Sequence, residues 1–161
     1  MLKIDQLVDV MYGHLKMSFL DAFQDYYQIA LAIKDQEKTV FIFFDANFHY
    51  TVMRFGLKNV GVTYQQTITR MFRDKIGRMV EVYIDDMVVK GKQEAQHIDD
   101  LREVFEVLHQ HKLHLNADKC AFRVGAGKFL GYMITNRGIE VNHNQIDAVE
   151  CLKPPSNPKE V

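Results

Sequence analysis

Cysteine is scarce in this 161-residue chain, and its two cysteines, Cys120 and Cys151, lie far apart without a Cys-x-x-Cys spacing. Isolated thiols of this kind suit a reducing compartment better than a disulfide framework. No apolar run approaches the length of a membrane span, and the first residues lack the apolar core of a secretory signal. We therefore expect a soluble intracellular protein, cytoplasmic or nuclear, with no membrane partner.

Net charge is also nearly absent, because 20 Lys and Arg residues oppose 21 Asp and Glu residues to give a formal charge of −1. The chain therefore has no global positive field that would attract nucleic acid, and a polyanionic partner must be met by a local patch. With 47% hydrophobic and 25% charged residues the composition is that of a globular protein, which argues against wholesale disorder. The length allows one domain with a core.

Two adjacent acids, Asp85 and Asp86, interrupt a stretch rich in Val, Ile and Tyr over 81–90. This pattern predicts a tight β-hairpin with both acids at its turn. Neighbouring side chains on a regular strand diverge, whereas at a turn both can reach one side. Converging carboxylates repel each other unless they are protonated, solvated or neutralised by cations. A solvated turn is the ordinary interpretation of such a pair, and a cation site is the alternative.

An earlier acid, Asp21, ends the short apolar strand predicted over 17–20, where it is either a loop starter or a site residue. Apolar residues at helical spacing predict two long helices, over 60–76 and 94–110. The first has a basic end formed by Arg70, Arg73, Lys75 and Arg78. That placement favours the helix dipole and indicates either a solvated face or a contact with a phosphate backbone.

The remaining pattern predicts shorter elements. Tyr26 to Ile33 is expected to be extended and largely buried, and the aromatic turn over 43–48 is expected to pack on neighbouring strands. The other predicted elements are a helix over 4–13, a turn or short helical bend over 34–38, strands over 39–43, 49–54, 113–115 and 120–124, a hairpin over 128–141, a helix over 142–152 and a linker from Pro154.

Four stretches, in this order, resemble the palm of a reverse transcriptase of the Ty3/gypsy class of long-terminal-repeat retrotransposons. They are Ser18–Phe23 continuing to Tyr26, Gln28 and Ile29; Phe55–Asn59 continuing to Thr63, Tyr64 and Gln65; Tyr83–Asp86; and Asn116–Phe122 followed by Phe129–Tyr132. The resemblance implies an α+β polymerase palm, with an antiparallel sheet packed on two or three helices. It also implies domain limits of 1–125 for the palm, 126–141 for a primer-grip hairpin and 142–161 for the start of a thumb or linker.

The same resemblance implies an RNA-directed DNA polymerase that transfers a nucleotide from a dNTP to a primer 3′-hydroxyl with two Mg²⁺ or Mn²⁺ ions. Asp21, Asp85 and Asp86 would be the catalytic and metal-binding residues. The implied nucleotide-binding residues are Ala22 and Phe23 through their amides, Tyr26 under the sugar, Phe55, Gly56, and Lys119 as proton donor to pyrophosphate. The implied contacts to an RNA or DNA template–primer are Gln65 on the template side and Phe129, Leu130, Gly131 and Tyr132 at the primer end.

Two residues depart from the family pattern. Asp25 stands where a small residue is usual, and a carboxylate near the triphosphate is unfavourable by about 1–4 kcal/mol. Arg54 stands where Pro usually precedes the Phe-Gly pair. The fingers and most of the thumb are also missing, so we expect the isolated fragment to extend primers poorly or not at all. The alternatives are an inactive retrotransposon remnant and a co-opted module that binds nucleic acid or protein, and exposed palm surface predicts self-association.

Overall fold

The apolar run that ends at Asp21 and the two runs around the adjacent acids form three neighbouring strands of a four-stranded antiparallel sheet. The computed structural model describes residues 13–135 and 137–140, together with Met11, Ile146 and Cys151. The helices predicted over 4–13 and 142–152 and the linker from Pro154 lie almost wholly outside the described residues, and the predicted domain limits stay predictions.

Nine strands and three α-helices are described. In chain order the elements are β1 (Lys16–Asp21), α1 (Ile33–Gln36), β2 (Phe41–Phe43), β3 (Ala46–Phe48), α2 (Val60–Met71), β4 (Val80–Tyr83), β5 (Asp86–Gly91), α3 (Glu94–Gln110), β6 (Ala121–Val124), β7 (Ala126–Phe129), β8 (Tyr132–Thr135) and β9 (Gly138–Glu140), with 3₁₀ helices at Asp25–Gln28 and Glu37–Thr39. No described helix is long and apolar enough to cross a membrane.

The central sheet has the order β4-β5-β1-β6, and both of its faces are covered. On one face α2 and α3 pack through buried residues such as Tyr64, Ile68 and Val104. On the other face the β7–β8–β9 sheet packs Phe129 and Ile134 against the central strands. Because side chains alternate along a strand, a strand covered on both faces reads as a continuous apolar run. The fold is therefore α+β, as the sequence predicts.

Two pairs of polar groups inside this core join different elements. Lys90 Nζ on β5 lies 2.7 Å from Glu81 Oε1 on β4, and both side chains are almost fully buried. Ser18 Oγ on β1 lies 2.8 Å from His97 Nε2 on α3. These contacts replace the hydrogen bonds to water that the polar groups lose when they are buried.

The prediction that Tyr26 to Ile33 is extended and buried is wrong. Residues 25–28 form a 3₁₀ helix, and Ile33 begins α1 with 81% of its surface exposed. The side chain of Gln28 explains the difference, because its Nε2 donates hydrogen bonds to the carbonyls of Phe23 and His114. These hydrogen bonds, rather than the apolar pattern, determine the backbone conformation of this stretch.

The aromatic stretch also differs from its prediction. The strand expected over 49–54 is absent from the described residues; instead β2 and β3 form a two-stranded hairpin that turns at Phe44 and Asp45. Its aromatic residues contact one another rather than neighbouring strands, and all six strand residues are exposed. The expectation that this turn packs on other strands is therefore wrong.

The helix predicted over 60–76 ends at Met71, so most of its expected basic end lies in the turns that follow. Lys75 Nζ lies 2.6 Å from Glu103 Oε2 on α3, and Arg78 approaches the same carboxylate at 3.5 Å. These two basic groups therefore join α3 to the turn before β4. The α3 limits match the helix predicted over 94–110.

Candidate active site

Antiparallel pairing of β1 and β5 brings together Asp21 and Asp86, the first and the last of the three predicted site acids. Asp21 ends β1, Asp86 begins β5, and the register sets them directly opposite each other. Directly opposed residues of an antiparallel pair project from the same face of the sheet. The strand ends therefore hold two carboxylates side by side.

The turn before β5 has an unusual backbone. Tyr83 pairs with Asp86, so Ile84 and Asp85 form a two-residue turn, and Ile84 has a φ of +51°. A β-branched residue in this left-handed region is strained, and such strain persists only where the surroundings impose it. Gln65 on α2 supplies part of that support, since its Oε1 accepts a 2.6 Å hydrogen bond from the Ile84 N–H.

The opposed acids are not electrostatically equivalent. Burial raises the pKa of Asp86 above its usual range, and the Asp21 charge adds to the rise, while the Leu130 N–H and the Lys119 charge oppose it. Lys119 Nζ lies 3.6 Å from Asp21 Oδ1 and is the cation paired with the site. The ionised form of Asp86 is therefore disfavoured in the folded protein, mainly because the carboxyl group is buried.

The β7–β8 hairpin reaches this acid pair through its turn. Leu130 and Gly131 form the turn with φ values of +53° and +81°. The Leu130 N–H donates to Asp86 Oδ2 at 3.4 Å, and Phe129 beside it is buried under the sheet. Tyr132, which begins β8, is exposed. The stretch predicted as a primer grip thus borders the acids.

Three aromatic residues from separate parts of the chain meet beside β1. The ring of Tyr26 is buried and makes edge contacts with Phe55 at 4.9 Å and with Tyr64 at 5.3 Å between ring centroids. Gly56 follows Phe55 with a φ of +95°, a conformation that an L side chain rarely adopts. The structure therefore joins the predicted residues Tyr26 and Phe55 in one cluster.

The backbone after Asp21 is clamped by residues 114–116. The Phe23 N–H donates to the His114 carbonyl at 2.9 Å, and Ala22 forms an isolated bridge with Leu115. The prediction that the Phe23 amide approaches a triphosphate would require this bond to open. The side chain of Asp25 is outside the described part of the structure.

Residues 4–134 match the family model described as reverse transcriptase (RNA-dependent DNA polymerase). The chain belongs to the reverse transcriptase family. Among curated proteins it is 32% identical over 142 residues to the retrovirus-related Pol polyprotein from transposon opus of Drosophila melanogaster, which covers 88% of this chain and 14% of that protein. It is 29% identical over 158 residues to the transposon Tf2-3 polyprotein of Schizosaccharomyces pombe, covering 98% of this chain and 12% of that protein.

Solved structures give the same fold. The foamy viral protease–reverse transcriptase dRH in complex with double-stranded DNA matches with a TM-score of 0.88 at 19% identity, over 99% of this chain and 28% of that one. The foamy viral protease–reverse transcriptase in complex with an RNA/DNA hybrid matches with a TM-score of 0.79 at 19% identity, over 91% of this chain and 20% of that one. The chain thus has the palm fold of a Ty3/gypsy-type Pol polyprotein, and it spans less than a third of each of these proteins.

Reverse transcriptases use divalent metal ions, for which the palm acids are the candidate ligands. Within the described part of the palm, no group of three or more His, Cys, Asp or Glu side chains is arranged to hold a metal. Mg²⁺, however, takes only one or two carboxylates and completes its shell with water and substrate phosphates. Asp21 and Asp86, opposed on one face of the sheet, fit that requirement, and Asp85 lies in the adjoining turn.

Sequence reasoning named Gln28 as part of the first motif but missed that its side chain holds this motif in place after Asp21. Gln28 Oε1 accepts from the His114 N–H at 2.6 Å while its Nε2 donates to the His114 carbonyl at 3.1 Å, as a neighbouring strand would. Gln28 is the polar residue between Tyr27 and Ile29 in a stretch that otherwise reads as buried. A lone amide at such a position is the signal that could have indicated a side-chain clamp.

Proposed function

We propose that this palm belongs to an RNA-directed DNA polymerase and serves nucleotidyl transfer from a dNTP to a primer 3′-hydroxyl. The observation that carries the proposal is the opposition of Asp21 and Asp86 across β1 and β5, with the Ile84–Asp85 turn beside them. Paired carboxylates at an open strand end suit the binding of hard cations and phosphates better than a nucleophilic or redox reaction.

In this proposal Asp21 and Asp86 hold Mg²⁺ or Mn²⁺, with two ions in the working enzyme, and Asp85 adds a ligand when substrate is bound. The ions would lower the pKa of the primer hydroxyl and stabilise the charge on the leaving pyrophosphate. The raised pKa of Asp86 supports this role, because a bound cation stabilises the ionised form that burial disfavours.

The nucleotide side of the site is proposed around the aromatic cluster. Tyr26 would lie under the sugar, and Phe55 and Gly56 would line the pocket. The Ala22 and Phe23 amides would lie near the triphosphate, which for Phe23 requires its hydrogen bond to the His114 carbonyl to open. The contact between the Tyr26 and Phe55 rings supports a shared pocket. Lys119 remains the proposed proton donor to pyrophosphate, since its side chain is 66% exposed and can turn from Asp21 to a ligand.

The proposed partners are an RNA or DNA template–primer and a dNTP. The foamy viral relatives are complexes with double-stranded DNA and with an RNA/DNA hybrid. Recognition of such duplexes rests mainly on backbone and shape. We propose that Gln65 lies on the template side and that Phe129 to Tyr132 hold the primer end. The exposed apolar residues of the palm also support self-association.

Binding of Mn²⁺ alone, followed by its electron paramagnetic resonance signal, tests the metal site without requiring catalysis. We expect Asp21→Asn and Asp86→Asn each to weaken Mn²⁺ binding by about tenfold or more, because each removes one of two carboxylate ligands. Asp45→Asn, at the exposed turn between β2 and β3, is the matched control and should bind like the wild type. Equal Mn²⁺ binding by all four proteins would refute the proposed site.

Primer extension with Mg²⁺ or Mn²⁺ tests the activity itself. We expect poor extension or none by this fragment, and none by Asp85→Asn. If both proteins are equally inactive while Mn²⁺ binding is intact, the fragment is an inactive remnant with a preserved metal site. Robust extension that Asp85→Asn abolishes would refute the expectation that the fragment alone is a poor polymerase.

A further inference from the structure

The backbone at the end of β1 has a short partner from a later part of the chain. The Asn116 N–H donates a hydrogen bond to the Asp21 carbonyl at 2.9 Å. The Phe23 N–H donates to the His114 carbonyl, also at 2.9 Å. The residues between them form an isolated antiparallel bridge. Strand pairs as short as this one are only marginally stable in water, so the pairing needs further support.

The side-chain amide of Gln28 adds three hydrogen bonds to this pairing. Its Oε1 accepts from the His114 N–H at 2.6 Å, and its Nε2 donates to the His114 carbonyl at 3.1 Å. The same Nε2 donates to the Phe23 carbonyl. A glutamine amide has two donor hydrogens and one oxygen, so Gln28 uses both donors and the oxygen on backbone groups. Gln28 therefore takes the place of one more strand residue opposite His114.

Lys119 lies on the turn that follows residues 114–116. The Asn116 carbonyl accepts hydrogen bonds from the Lys119 N–H at 3.1 Å and from the Cys120 N–H at 3.2 Å. The Cys120 Sγ in turn accepts a 3.5 Å hydrogen bond from the Asp21 N–H. Both ends of the turn are therefore attached to the end of β1, one through Asn116 and the other through Cys120.

The side chain of Lys119 extends from this turn into solvent. It is 66% exposed, and its Nζ lies 3.6 Å from Asp21 Oδ1. The lysine stem is flexible, so the place of its backbone decides which ligand atoms the ammonium group can reach. The bonds that fix residues 114–116 therefore also limit the region in which Lys119 can act.

We propose that Gln28 is a positioning residue of the nucleotidyl-transfer site. By holding residues 114–116 beside the end of β1, it sets the place of Lys119 relative to Asp21. This role rests on the proposed function, in which Lys119 donates a proton to pyrophosphate. Gln28 itself contacts neither substrate nor metal, and it acts through the backbone of His114.

The same bonds explain how the Phe23 amide can become available to a triphosphate. That step requires the Phe23 N–H to leave the His114 carbonyl. Gln28 Nε2 still holds this carbonyl afterwards, and Gln28 Oε1 still holds the His114 N–H. The Phe23 amide is therefore released without loss of the attachment that positions Lys119.

NMR of the metal-free chain tests the attachment. Gln28→Met keeps the length of the side chain and removes all three bonds, so amide exchange at Lys119 and Cys120 should accelerate by about five- to tenfold. The Lys119 side-chain signals should also move in the direction in which Asp21→Asn moves them, because both changes remove the contact between these residues. Gln28→Asn, which is one methylene shorter, should behave alike. Gln66→Met, at an exposed residue of α2, is the matched control, and circular dichroism checks that each variant folds.

Binding of Mg²⁺-pyrophosphate, measured by calorimetry, separates positioning from structural support. We expect Gln28→Met and Lys119→Met each to weaken this binding by about three- to tenfold, the range for loss of one hydrogen bond. In the Lys119→Met background, Gln28→Met should have little further effect, because changes that act through one group are not additive. Binding of Mn²⁺ alone should change much less in Gln28→Met, since pairing of β1 with β5 holds Asp21 and Asp86.

Two results would overturn the positioning role. One is unchanged amide exchange and unchanged Lys119 signals in both Gln28 variants, and the other is losses of pyrophosphate affinity that add in the double variant. Neither result affects the metal site, which Mn²⁺ binding by Asp86→Asn tests separately. A wild type that binds Mn²⁺ but no pyrophosphate would instead refute the proposed role of Lys119. A failure of Gln28 and a failure of the proposed function are therefore distinguishable.

Discussion

The side-chain oxygen Oε1 of Gln65 accepts a 2.6 Å hydrogen bond from the backbone N–H of Ile84, and thereby ties α2 to the turn that carries Asp85. Ile84 has a φ of +51°, so this bond supports a backbone conformation that a β-branched residue disfavours. Gln65 was expected from family resemblance to lie on the template side. Its bond to Ile84 shows a direct contact with the turn next to the acids.

Gln65→Leu should loosen the Ile84–Asp85 turn, because the change removes the acceptor while it keeps the side chain similar in size. A lost hydrogen bond of this kind is worth about 1 kcal/mol, so amide exchange at Ile84 should accelerate by roughly five- to tenfold. Hydrogen exchange followed by NMR measures this directly. Gln66→Leu, the same change at an exposed neighbour on α2, is the control. Equal exchange at Ile84 in both variants would contradict the supporting role of Gln65.

Asp86→Asn should stabilise the metal-free protein at neutral pH. Burial raises the pKa of Asp86, so the folded state holds this proton more tightly than the unfolded chain does. The protonated carboxyl group therefore contributes fully to the stability of the folded state below the pKa that Asp86 has in the unfolded chain. That contribution is lost as the pH rises through the folded-state pKa, and at higher pH the buried, ionised carboxylate destabilises the fold. Asn removes the charge and keeps an oxygen for the Leu130 N–H.

Thermal unfolding in EDTA measures the effect of Asp86→Asn. We expect the melting temperature to rise by a few degrees at pH 7, since about 1 kcal/mol shifts a domain of this size by roughly 2–4 °C. The difference should shrink as the pH falls toward the pKa of an unfolded Asp, about 3.9. Asp45→Asn, at the exposed turn between β2 and β3, is the control for removal of a carboxylate. A lower melting temperature for Asp86→Asn at pH 7 would refute the cost assigned to its charge.

Much of the central sheet was predictable because its signals are local. The apolar run that ends at Asp21, the turn around Asp85 and the apolar spacing of α3 each specify one element without help from the rest of the chain. The opposition of Asp21 and Asp86 is a long-range feature, and the family resemblance rather than residue spacing indicated that the first and third motifs meet.

The failures occurred where side chains or missing partners decide the structure. The Gln28 amide replaces a strand partner for His114 and turns an apolar stretch into a 3₁₀ helix, an effect that periodicity does not report. The aromatic residues around Phe44 read as core, yet nothing among the described residues covers them. An apolar composition predicts that a segment is buried, but it does not tell which other part of the protein covers that segment.

The His97 ring predicts a loss of stability in mild acid. Burial lowers its pKa below the usual value; the Asp100 charge on the same helix opposes this shift, and Lys16 on β1 adds to it. Its Nε2 is bonded to Ser18 Oγ, while its buried Nδ1 has no hydrogen-bond partner among the described residues. Stability from neutral His97 is therefore complete above the unfolded pKa, near 6.5, and is lost as the pH falls from there toward the folded pKa.

Unfolding in urea between pH 7.5 and 5 should show this dependence, and His97→Gln should flatten it while lowering stability at neutral pH by about 1–3 kcal/mol. His49→Gln is the matched control, because His49 is exposed. A wild-type stability that does not change between pH 7.5 and 5 would show that the buried ring does not resist protonation.

The contact between Gly127 on β7 and Phe19 on β1 fixes how closely the β7–β8 hairpin approaches the acids. A Cβ atom at Gly127 would lie 2.2 Å from the ring atom Cε2 of Phe19, a ring buried between the sheets. Gly127→Ala should therefore push the hairpin from the central sheet and destabilise the protein by about 1–3 kcal/mol, the usual cost of overpacking. The Leu130 N–H would also move from Asp86, and that loss should raise the pKa of Asp86 further.

Gly125→Ala is the matched control, because a Cβ atom at Gly125 meets nothing within 4 Å. Its stability should stay within about 0.5 kcal/mol of the wild type. Chemical unfolding measures both variants, and NMR titration of the Asp86 carboxyl carbon reports whether the hairpin has moved. If Gly127→Ala and Gly125→Ala have the same stability and the same Asp86 titration, the hairpin does not depend on this close contact, and its link to the acid pair is not set by Phe19.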